Sequence, residues 1–165
     1  MTKRKTIEGW ISKASNQLEV ARSHRDSYYR PSEAIEAAQE CVELSVKSVL
    51  SLLEIKYSRS HEWAPDKKEL AGIAQQIQDR QLLEKIANQH LDYAIPLPRL
   101  LFLMNFWAQF YITAKYGFEV EYLSSAHDLF KKEEAELAVQ HADECYRAAL
   151  QLRYMNEDKL AALIL

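Results

Sequence analysis

Residues 32–55 are the stretch that most limits what this chain can fold into. Ala34, Ala38, Cys41, Ser45, Ser48 and Leu52 repeat at helical spacing as one seam of small side chains. Ile35, Val42 and Val49 form a second row, and Val46, Leu50 and Leu53 a third. No Gly or Pro interrupts the stretch. A helix that is apolar on several sides is covered on several sides. These residues therefore predict the central helix of a bundle, and the rest of the chain must supply its walls.

The remaining sequence offers suitable walls. Ile7, Ile11, Ala14, Leu18 and Ala21 mark a single-seamed helix over about 6–25, with Trp10 beside the seam. Asp66, followed by Glu69, resembles a capping box opening a helix to about residue 78, with Leu70, Ile73, Ala74 and Ile77 inward. A short helix is expected over 81–89. Pro96 and Pro98 mark the next start. A helix is then expected over 99–116, ending at Gly117 as its C′ residue. Its buried stripe is Leu100, Leu101, Met104, Trp107, Ala108, Tyr111 and Ala114, while Phe102, Phe106 and Phe110 line another side. Ala135, Ala138, Ala142, Cys145, Ala149 and Leu152 give a helix over 131–154 whose small side chains permit close approach to the seam of 32–55. Residues 156–165 read as a short appended helix.

Three Gly and four Pro in 165 residues are too few for the turns of a sandwich or barrel. The expected fold is all-α: an up-and-down antiparallel bundle of four to five main helices, forming one domain over 1–165 with its core at 7–152. The net charge of −3 gives no global attraction to nucleic acid. Residues 1–30 are locally basic, with seven cations against three carboxylates. Cys41 and Cys145 have no metal-ligand spacing and suit buried free thiols of a cytoplasmic protein. No secretory signal is recognisable, and the uncharged run Leu100–Ala114 is too short to span a membrane.

Enzymatic motifs are missing. A di-iron bundle needs Glu-x-x-His pairs, but Ala or Ser precedes every His by three residues. There is no phosphate loop, zinc helix or nucleophile elbow. No metal and no cofactor are expected. The candidate polar cleft consists of Glu43 and Lys47, an i,i+4 pair on the apolar helix, with His61, Lys115 and Tyr116.

Three stretches together resemble the HEPN family of helical domains, named for higher eukaryotes, prokaryotes and nucleotide binding. Ala37 to Leu50 is similar to the family's A-x-Q-x-x-x-E-x-x-x-K-x-x-L helix. Ser60-His61-Glu62-Trp63 resembles its Thr/Gly-His-Asp-Leu. Ala114-Lys115-Tyr116-Gly117 stands where it has Arg-Tyr-Pro, followed by Phe130 to Ala135 like its F-T-x-E-D-A. The resemblance implies an antiparallel bundle, usually a homodimer. Many relatives partner a minimal nucleotidyltransferase in toxin–antitoxin pairs, and active relatives cleave RNA. Those RNases carry Arg, four to six residues, then His, and no Arg here is so placed. Acid–base cleavage of RNA calls for a group titrating near neutrality, most naturally His. The expected role is therefore non-catalytic protein interaction with a nucleotidyltransferase partner of the toxin–antitoxin type; the alternative is a nucleotide- or RNA-binding module, extending to a divergent ribonuclease. The alternative requires Lys47, His61 and Lys115 to converge on one concave surface. Protein interaction requires the cations to be scattered or neutralised.

Overall fold

A computed structural model describes residues 3–26, 30–58, 64–116 and 129–165. The described residues form eight helices and no strands. These are α1 (Lys3–Asp26), α2 (Pro31–Leu52), α3 (Lys67–Asp79), α4 (Leu82–Asn88), α5 (Leu97–Ala108), α6 (Tyr111–Tyr116), α7 (Lys132–Arg153) and α8 (Glu157–Ile164). His61, Trp63, Gly117 and His127 lie outside the described residues.

The all-round apolar pattern of α2 does what it predicts. No residue of α2 is exposed, and it packs against α1, α5, α6 and α7. Its half-buried positions include Glu33, Glu36 and Glu40, which share one stripe. The single seam of α1 is fully buried.

Ion pairs report how the helices run. Arg22–Asp143 and Arg153–Glu8 join α1 to α7 near opposite ends, which requires the two to be antiparallel. Trp107 and Arg99 of α5 meet His141 and Glu144 of α7 in the same opposed sense. The order is thus up, down, up, down through α1, α2, α5 and α7, which places α2 and α7 on one diagonal. Small side chains let that diagonal pair touch: the Cys41 thiol reaches the Ala142 carbonyl at 3.7 Å, and Ala135, Ala138, Ala142, Cys145 and Ala149 are all buried.

Several local expectations change. The helix expected over 99–116 starts earlier, at Leu97, and breaks at Gln109–Phe110. The Phe110 amide bonds to the Trp107 carbonyl at 3.0 Å in place of its i−4 partner. Neither residue is a helix breaker; around the break, the rings of Phe106, Trp107 and Phe110 meet edge-on. α2 stops at Leu52 instead of Ile55, and Glu54 turns the chain with φ of 56°. Asp66 caps α3 by accepting from the Glu69 amide at 2.8 Å. The Glu69 carboxylate, however, accepts from the Ser58 amide at 2.6 Å, pinning the incoming strand of chain to α3. Ala74 is exposed.

Candidate functional site

The candidate cleft is the polar stripe of α2. Glu33, Glu36, Glu40, Glu43 and Lys47 follow one another at 3-4-3-4 spacing and so share a helix face. Lys47 Nζ donates to Glu43 Oε1 at 2.7 Å, with both side chains only 8% exposed. The Tyr57 hydroxyl donates to the Lys47 carbonyl at 3.2 Å and lies 2.8 Å from Ser51 Oγ. Together these contacts make the lower half of α2 a closed polar network instead of an open cleft.

The upper half is more accessible. Lys13 of α1 reaches Glu40 at 2.8 Å, and this hydrogen bond holds the ammonium above the usual lysine range. Burial pushes the Glu36 carboxyl up; Lys115 acts against that rise, while Glu33 and Glu40 add to it. Lys115 is exposed, with Nζ 5.5 Å from the centre of the Tyr111 ring. Lys115 thus acts on Glu36, which shares a face of α2 with the Glu43–Lys47 pair. Tyr116 ends α6, and its side chain is not among the described atoms. His61 is outside the described residues, so its place in the cleft has no structural account.

Sequence reasoning missed Glu36, Glu40 and Lys13 at this stripe and, away from it, His141. Glu36 belongs to the cleft, and its i−7 relation to Glu43 signals this. His141 has no telling neighbours in sequence, yet its Nδ1 accepts the Trp107 indole N–H at 3.0 Å. Burial, and then the Arg99 guanidinium, hold the imidazole below its usual range, partly opposed by Glu144.

What this arrangement can do chemically is limited. Among the described residues no three His, Cys, Asp or Glu side chains could hold a metal ion. Both thiols are buried and free. Burial pushes Cys41 up to about 12 and Cys145 well above its ordinary value, so neither is a nucleophile at neutral pH. No described helix is long and apolar enough to cross a membrane.

No curated protein and no solved structure gives a significant match. The HEPN domain model matches residues 7–152, spanning α1 to α7, and by that match this chain belongs to the HEPN family.

Proposed function

We propose that the chain is a non-catalytic, cytoplasmic, single-domain HEPN protein whose work is protein interaction, as a homodimer and with a nucleotidyltransferase partner of the toxin–antitoxin type. The observation that carries this reading is the neutralisation of Lys47 and Lys13 on the polar stripe of α2. Lys47 is spent on Glu43 and Lys13 on Glu40, within a stripe of four carboxylates. A phosphodiester entering there meets carboxylates before it meets an available ammonium. The interaction surface is the outer side of α5. Phe102 is 58% exposed and stacks on Phe106 at 5.9 Å between ring centres, and Phe106 in turn meets Phe110. Exposed aromatics of this kind are typical of interface centres.

The alternative, a nucleotide- or RNA-binding module, draws support from Lys115, an exposed cation beside an aromatic ring. Fluorescence titration with ATP and with a short RNA at low and high salt separates the two. The expected result is no saturable binding at either salt. Saturable, salt-sensitive binding lost in Lys115→Ala would favour the alternative. Light scattering is expected to give the dimer mass for the wild type and the monomer mass for Phe102→Asp, with helicity unchanged. A wild-type monomer removes the dimer. A nucleotidyltransferase encoded beside this chain's gene is expected to co-purify with it, and a gene neighbourhood without one removes that partner.

A further inference from the structure

A cleft of about 250 Å³ opens at the end of the bundle where α1 begins and α2 ends, and α8 closes it. α8 lies beyond the stretch matched by the family model. The floor is apolar: Ile7 and Ile11 of α1, Leu52 of α2, and Leu160 and Ile164 of α8. The wall is well anchored. Asn156 caps α8 by accepting from the Asp158 amide, Gln89 donates to the Lys159 carbonyl, and the Arg80 guanidinium faces the carbonyls of Leu163 and Ile164.

The rim is charged. Arg4 is paired with Glu157 at 3.3 Å, and Arg153 faces Glu8 at 3.9 Å. A second cavity of about 340 Å³ shares Lys3, Ser51 and Glu54 with the first and adds Lys56. At this common mouth two ammonium groups, Lys3 and Lys56, stand with one carboxylate, Glu54. None of the three forms an ion pair among the described residues. The mouth therefore carries a net positive charge over an apolar floor.

We propose that this cleft binds a small carboxylate bearing a short unbranched apolar chain. The chain would lie on Ile7, Ile11, Leu52, Leu160 and Ile164, and the carboxylate would meet Lys3 and Lys56. A pocket that is mostly apolar with a few convergent polar groups is the usual form of a small-molecule site. The modest size of the cleft suits a short chain. This inference is independent of the partner assignment above.

The test is calorimetric titration of the full chain with octanoate, with octyltrimethylammonium as the same tail carrying the opposite charge. Saturable one-to-one binding of octanoate and none of the cation is expected. Leu160→Trp, which fills the cleft, is expected to abolish binding. The surface variant Lys3→Glu/Lys56→Glu, which leaves the core intact, is expected to weaken it at least about tenfold. If Leu160→Trp loses helicity, the charge-reversed variant decides the question. No saturable binding of octanoate, equal binding of the cation, or undiminished binding by the charge-reversed variant would overturn the proposal.

Discussion

The indole N–H of Trp107 donates to Nδ1 of His141 at 3.0 Å, tying α5 to α7 where α5 is about to break. The bond requires a neutral imidazole, because a protonated ring has no acceptor nitrogen. Burial and Arg99 hold His141 below its ordinary value, with Glu144 opposing. The unfolded chain therefore takes up this proton first as pH falls. The stability owed to His141 is complete above about pH 6.5 and is lost as pH drops below it. Urea unfolding from pH 7.5 to 5.5 should show a falling midpoint, and His141→Gln should flatten that slope. Loss of the bond should cost about 1 kcal/mol at pH 7.5. Identical slopes in both proteins would refute the account.

Glu43 and Lys47 form a buried pair, so a single truncation and a double replacement should differ sharply from each other when set against the wild type. Glu43→Ala leaves a buried ammonium without its carboxylate and should cost about 3–5 kcal/mol. Glu43→Leu/Lys47→Met removes both charges at similar volume and should cost much less. Denaturant unfolding of the three proteins checks this. A loss below about 1 kcal/mol in Glu43→Ala would mean that the pair is solvated.

The α2–α7 diagonal depends on the absence of side-chain bulk. Ala142→Leu forces a larger group against Cys41 and should destabilise by at least about 1–3 kcal/mol. The same change at exposed Ala161 should stay within about 0.5 kcal/mol. Equal effects at the two sites would contradict the close approach.

Cys41 and Cys145 should be silent in the folded protein. With Cys41 at about 12 and Cys145 also raised, the thiolate fraction at pH 8 is very small and both sulfurs are covered. Ellman's reagent should therefore report no rapid thiol in the native protein and both thiols in guanidinium. Rapid native reaction of either thiol would show that the α2–α7 seam opens readily.

Sequence by itself determined the parts of this protein that repeat along one chain segment. The three apolar rows of α2, the single seam of α1 and the small-residue seam of α7 are periodic, and periodicity is what burial on a helix demands. Asp66 at the head of α3 is likewise local, since a cap bonds residues three apart. Tertiary structure alone decided contacts between distant segments. His141 and Trp107 are 34 residues apart, and nothing near either foretells the other. Glu69 turned to the Ser58 amide because the returning chain brought a donor within reach. The α5–α6 break has no Gly or Pro to announce it and accompanies the packing of three aromatic rings. The neutral character of the cleft was only half legible. Glu43 and Lys47 are one turn apart and visible as a pair, but Glu40 needed Lys13 from another helix. Local patterns select which faces are buried; the fold decides which side chains meet once they are.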